Sequence, residues 1–186
     1  MYKEARIDIS IDSVKYEQIL NNICFKAPVE IGVEIAVYMI LFGLLEDTNM
    51  VVVDVNTMWR SKAGVYSNAS DKNALGAVPD LVIVNKSFDF RGSNDNRAYG
   101  FIEVKSLACT DAKEDNEMKS HKNNTNNLLW TNGVIWKYYS ALASEKNWHI
   151  DLRSEKMKDN SIHIDSLKYG ELLYKLKQIE WENIGR

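Results

Sequence analysis

The chain has 186 residues, 45% of them hydrophobic and 26% charged, the composition of a soluble globular domain with a sizeable core. Its formal net charge of −3 argues against tight nonspecific binding to nucleic acid through bulk electrostatics, although a local basic patch is compatible with an acidic total. Two cysteines, Cys24 and Cys109, are too few for a disulfide framework or a zinc cluster and favour a reducing, cytoplasmic setting.

The opening residues Met1 to Asp8 carry no apolar signal core, so no leader is expected. Asp12 to Phe25 reads as a helix, because Val14, Ile19, Leu20 and Ile23 recur at helical spacing and Asp12 or Ser13 can cap its start. Pro28 suits the first turn of a second helix, Val29 to Leu45. That segment is apolar almost all round and should be covered on most sides. It is short for a membrane span, and no membrane association is expected. Glu30, Glu34 and Tyr38, spaced by four, form its one polar stripe.

Asn49 to Trp59 is the first expected strand, and the polar stretch Arg60 to Ala77 a long loop, a common place for function. A strand from Pro79 to Val84 follows. Lys86 to Tyr99 is an excursion at the sheet edge, and Phe101 to Ser106 a further strand. Ala108 to Asn124 is polar and charged, as for a solvated helix or a mobile segment. Asn132-Gly133, set between the apolar runs around Leu128 and Tyr139, signals a hairpin. Trp148 to Leu152 adds a strand, Ser161 to Asp165 is extended, and Leu167 to Trp181 is a closing helix. With no repeat or linker in view, the expectation is one α/β domain over residues 1–186: two helices, a mixed sheet and a C-terminal helix.

Charges inside two of these apolar strands mark the place to look for chemistry. Asp80 opens the first. Glu103 and Lys105 lie two apart in the second, and therefore on one face, with Val104 on the other. Charges in an apolar strand are costly unless they are paired or hold a metal. Taken alone, Glu103 and Lys105 suit a same-face salt bridge on an edge strand. With Asp80 and an acid from the buried helix added, the clustering favours a metal site. Glu30, near a helix start, is accounted for by the macrodipole; Glu34, one turn deeper, is harder to explain that way. Trp130 and Trp136 read as core residues, not base-stacking platforms, Cys24 and Cys109 as inert thiols, and His149 and His163 as structural or exposed.

Pro79-Asp80 followed by Glu103-Val104-Lys105 resembles the PD-(D/E)xK nuclease superfamily, the restriction-endonuclease-like fold. Asp80 and Glu103 lie 23 residues apart (103 − 80), room for a strand, a turn and a return. The run from Leu129 to Tyr139, with Thr131-Asn132-Gly133 and Trp136, is similar to a hairpin in domains related to the N-terminal nuclease of type I restriction subunits. The resemblance spans about residues 28–140. It implies an α/β fold with a mixed central sheet flanked by helices, and a catalytic set of Asp80, Glu103, Lys105 and an acid from the buried helix, Glu34 or Glu30. It implies Mg²⁺, with Mn²⁺ as a substitute, held by Asp80, Glu103 and the backbone carbonyl of Val104. The chain departs from the pattern after the lysine: Ala108 to Asn124 lacks the Gln and Tyr that relatives often carry there.

The chemistry suits these residue types. Phosphodiester hydrolysis needs charge stabilised on nonbridging oxygens and an activated water, and a hard divalent cation supplies both. Mg²⁺ is satisfied by one or two carboxylates with waters and phosphate. Lys105 can orient the attacking water or stabilise developing charge. Arg60, Lys62, Lys119 and His121 are candidate phosphate contacts. Two functions follow as expectations. One is a metal-dependent nuclease acting on DNA, in a restriction, repair or mobile-element setting, with a protein partner or a homodimer to choose its target. The other is a silent binding module on the same fold, such as a phage or mobile-element inhibitor of a host defence system.

Overall fold

A computed structural model describes residues 11–26, 28–54, 79–88, 98–109, 125–154 and 161–182. The polypeptide runs through α1 (Ser13–Lys26), α2 (Glu30–Leu45), β1 (Met50–Asp54), β2 (Leu81–Asn85), β3 (Ala98–Val104), β4 (Asn127–Thr131), β5 (Ile135–Ser140), a short 3₁₀ turn (Ser144–Lys146), β6 (Trp148–Asp151) and α3 (Ser166–Lys177). The strands form one sheet in the order β1-β2-β3-β4-β5-β6. β3 and β4 are parallel; the other neighbours are antiparallel. No helix among the described residues is long and apolar enough to cross a membrane.

Side-chain alternation divides the sheet into two faces. Met50, Val52, Leu81, Ile83, Ile102, Val104, Leu129, Trp136, Tyr138 and Ile150 join Tyr16 and Leu20 of α1, Val33, Val37 and Leu41 of α2, and Leu172 and Leu176 of α3 in the main core. Each fully buried aliphatic side chain there is worth about 1.5–3 kcal/mol relative to exposure. The opposite face carries a smaller apolar cluster of Val82, Val84, Phe101, Leu128, Trp130 and Ile135.

Two glycines are required by the packing. A Cβ on Gly100 would stand 2.5 Å from the Trp181 ring. Gly133 has φ +86° and lies against Val33 and Leu20, so the β4–β5 turn is pushed into the core. There the Tyr16 hydroxyl donates to the Gly133 carbonyl at 2.6 Å, and the Trp136 indole N–H donates to the same oxygen at 3.2 Å. Burial drives the Tyr16 hydroxyl pKa far above its ordinary value.

Several expectations are corrected in detail. α2 is buried or half-buried at most positions but open along one line: Ile31, Ile35 and Phe42 are 53%, 56% and 41% exposed. Their spacing, shared with half-buried Tyr38, makes one apolar stripe toward solvent. Pro28 stands outside α2, whose N-cap is Val29. β2 starts at Leu81, so Asp80 precedes the strand; β3 starts at Ala98 and ends at Val104, so Lys105 follows it. β1 spans only Met50–Asp54 of the expected Asn49–Trp59, and residues 55–59 lie outside the described set. α3 ends at Lys177 because Gln178 turns back to cap it. In the hairpin, Asn132 is not a central turn residue. Thr131 pairs with Trp136, leaving Gly133 and Val134 at the tip. The Asn132 side chain accepts from the N–H groups of Val134 and Ile135 at 3.0 and 2.7 Å, the Asx arrangement that mimics a backbone turn. At α1 it is Asp12 that caps, accepting from the Lys15 N–H at 2.7 Å. The loop 60–77, most of the excursion 86–99 and most of the segment 108–124 lie outside the described residues.

Candidate functional site

β2 and β3 create the site by their register. Leu81 pairs with Ile102 and Val82 with Phe101; continued by one residue, the ladder sets Asp80 opposite Glu103. Directly opposed residues share a face, about 4.5–5.5 Å apart at Cβ. Glu103 belongs to the face opposite the main core, in line with Phe101, and Asp80 stands just before β2 at the mouth of the ladder. Both are buried, as is Glu34 on the second turn of α2.

The side chains are held from the backbone. At the end of β3 the N–H of Val104 donates to Asp80 Oδ2 at 2.7 Å, replacing a ladder bond with a carboxylate. In extended backbone the N–H and C=O of one residue point toward the same neighbouring strand, so the Val104 carbonyl lies on the Asp80 side too. The Lys105 N–H points the other way, to the Thr131 carbonyl of β4 at 2.8 Å. The Lys105 ammonium forms an ion pair with Glu103 Oε1; its side chain is 21% exposed, so the pair opens to solvent on the lysine side.

Electrostatics tie the acids together. Burial, then the neighbouring Glu103 carboxylate, pushes the Asp80 carboxyl from 3.8 up to about 7. The Val104 N–H opposes this, and Glu30 and Glu34 add smaller upward contributions. The start of α2 therefore brings both of its acids to the Asp80 end of the sheet. Glu34 is the buried member and Glu30 the exposed one.

The structure thus brings Asp80, Glu103, Lys105 and the Val104 backbone together, with Glu34 within electrostatic range of Asp80. Arg60, Lys62, Lys119 and His121 lie outside the described residues. Among the described residues no group of three or more His, Cys, Asp or Glu is arranged to hold a metal ion. The donor set is smaller and all oxygen: two adjacent buried carboxylates and a carbonyl on the same side. That fits a small hard cation, which keeps much of its water shell. Two mutually repelling carboxylates are also a place where positive charge is favoured.

Sequence reading passed over one charged neighbour. Lys137 is the only charged residue in the run from Leu128 to Tyr139, the same signal that singled out Glu103. It pairs across from Trp130, which pairs across from Glu103. Only the register reveals the alignment.

No family model matches the chain, and no curated protein matches it significantly. Its fold is similar to that of a chain in the cryo-electron-microscopy structure of a DrdV–DNA complex, with a TM-score of 0.53 and 16% identity, over 90% of this chain and 96% of that one. At that identity the likeness concerns fold. The α/β architecture expected from the sequence, a mixed central sheet with helices in the restriction-endonuclease-like manner, is the architecture observed, the three described helices packing on one face.

Proposed function

We propose that this protein is a divalent-metal-dependent nuclease that hydrolyses DNA phosphodiester bonds. The observation that carries the proposal is the juxtaposition of Asp80 and Glu103 across β2 and β3, with the Lys105 ammonium on Glu103 and the Val104 N–H on Asp80. The fold likeness to a protein solved in complex with DNA supports DNA as the partner.

Asp80, Glu103 and the Val104 carbonyl would hold Mg²⁺, or Mn²⁺ in its place. When bound, the ion would neutralise charge on the nonbridging phosphate oxygens and acidify a water. The residues themselves have distinct tasks. The Val104 N–H fixes the Asp80 carboxylate in orientation, and the strand ladder fixes its distance from Glu103. Lys105 carries a mobile ammonium on a flexible stem, placed where it can orient the attacking water and meet charge developing on the phosphate. Glu34 adds a buried carboxyl from α2 on the Asp80 side of the site. Arg60, Lys62, Lys119 and His121 are proposed as further phosphate contacts.

The test is incubation of plasmid and single-stranded DNA with Mg²⁺ or Mn²⁺, and with EDTA. The expected result is metal-dependent cleavage, lowered by a factor on the order of 10²–10³ or more in Asp80→Ala and Lys105→Ala, as for loss of a charge-stabilising group. Cleavage that survives both substitutions would remove the assignment.

A second reading is favoured by one observation, the exposed apolar stripe of Ile31, Ile35 and Phe42 on α2. Such a stripe suits a protein partner or a second copy of the chain, as in a silent binding module. No cleavage of any substrate, together with tight binding of a protein through this stripe, would select it.

A further inference from the structure

The pairing registers place five residues in one row across the sheet. Asp80 stands opposite Glu103 by continuation of the β2–β3 ladder. Glu103 pairs with Trp130, Trp130 with Lys137, and Lys137 with His149 on β6. Directly opposed residues share a face, so acid, indole, amine and imidazole line one side of the sheet, with Asp80 at the acid end of the row. The flanking residues agree: Phe101, Trp130 and Ile135 belong to the cluster on that face, and Trp136, Tyr138 and Ile150 to the main core.

Within this row Lys137 is aimed. Its ammonium lies over the Trp130 ring, 5.3 Å from the centroid. Trp130 occupies the strand between Lys137 and Glu103, so the lysine leans toward the acid end. Trp130 is only 1% exposed and offers no stacking surface for a base; it serves as the platform that holds the amine. Lys137 is half-buried, and His149 beyond it is exposed, so the row opens to solvent on its cationic side.

We infer that Lys137 is a phosphate-binding residue for the nucleic-acid strand held at the acid pair, an inference that rests on the nuclease reading above. The acid end of the row repels a polyanion, and the chain as a whole is acidic. A cation on the same face adds to the attraction that Lys105 supplies at the acid end. Two strand spacings of about 4.7–4.9 Å separate Lys137 from Glu103, roughly 10 Å. That separation sets Lys137 at a backbone phosphate close along the strand to the one at Asp80 and Glu103. His149 marks the direction in which the strand leaves.

The test is affinity for a short synthetic DNA duplex and for its single strand, measured in EDTA over a series of salt concentrations. Wild type, Lys137→Gln and Lys137→Arg are compared, with thermal melts of each and plasmid cleavage in Mg²⁺ alongside. The inference predicts that Lys137→Gln binds several-fold more weakly at low salt. It also predicts a plot of log affinity against log salt that is flatter by about 0.9 for duplex or about 0.7 for the single strand, the loss of one phosphate contact. Lys137→Arg should keep the wild-type slope. A lysine that only packs on Trp130 would change the melt and leave the slope alone, which overturns the inference. Wild type that binds and cleaves while Lys137→Gln matches it in affinity and slope overturns the inference and leaves the nuclease reading standing. Wild type that neither binds nor cleaves DNA overturns both.

Discussion

On the helix side of the sheet, Ile83, Ile102, Leu129 and Trp136 meet α1, α2 and α3 through hydrocarbon. On the other side, one residue along from each of these on the same strands, stand Val82, Glu103, Trp130 and Lys137. The strands are shared, so the backbone does not distinguish the faces; side-chain parity does. The first face is closed by packing and tolerates no polar group without a partner. The second mixes apolar residues with charges whose burial would be pointless for stability alone. A carboxyl held near pH 7 beside another carboxylate works against folding at neutral pH. Such costs collect where a site needs them. The comparison teaches that one layer of the fold supplies stability and the other gives some of it up for a charged row.

Breaking the first face should give the largest change in stability. Gly133→Ala places a Cβ at φ +86°, 3.0 Å from Val33 and 3.1 Å from Leu20. The strained backbone and the overpacking each cost about 1–3 kcal/mol. Urea unfolding should show a lowered midpoint with an unchanged slope. An unaltered midpoint would mean that the turn is not clamped between α1 and α2.

A smaller effect, of opposite sign, belongs to the second face. The Asp80 carboxyl is raised to about 7 in the folded protein, against 3.8 ordinarily. Between these values the folded chain holds a proton that the unfolded chain has released. Stability therefore falls as pH rises from about 4 to about 7, and the loss is complete above the folded value. Asp80→Asn removes the charge and retains an oxygen to accept from Val104. It should match wild type near pH 4 and be more stable at pH 8, by on the order of 2–4 kcal/mol. Thermal melts at the two pH values check this. A variant less stable than wild type at pH 8 would show that the carboxylate is not a liability.

Much of the second face was legible in the sequence because charge inside an apolar strand is conspicuous. Asp80, Glu103 and Lys105 stood out for that reason, and the register joins them. Lys137 is as conspicuous by the same rule, yet its place beside Glu103 depends on a parallel pairing between β3 and β4 that no local pattern encodes. The first face was legible as elements: α1, α2, the hairpin and the C-terminal helix all stand close to where hydrophobic periodicity puts them. The exposed stripe on α2 was not. A helix that is apolar almost all round reads as covered on most sides without showing which side stays open, and only the tertiary arrangement shows that Ile31, Ile35 and Phe42 look outward. The role of Asn132 escaped for a related reason. Asn-Gly suits the two central positions of a tight turn, and a shift by one residue turns the asparagine into a side-chain cap.

The proposed division of labour along the row, metal at the acids and phosphate at the lysine, is tested most directly by calorimetric titration of Mn²⁺ at pH 8 into wild type, Asp80→Asn and Lys137→Gln. Wild type should bind, Asp80→Asn should bind at least about tenfold more weakly for loss of a charged ligand, and Lys137→Gln should bind as wild type does. Mn²⁺ affinity in Asp80→Asn equal to that of wild type would contradict a metal site at the acid end of the row.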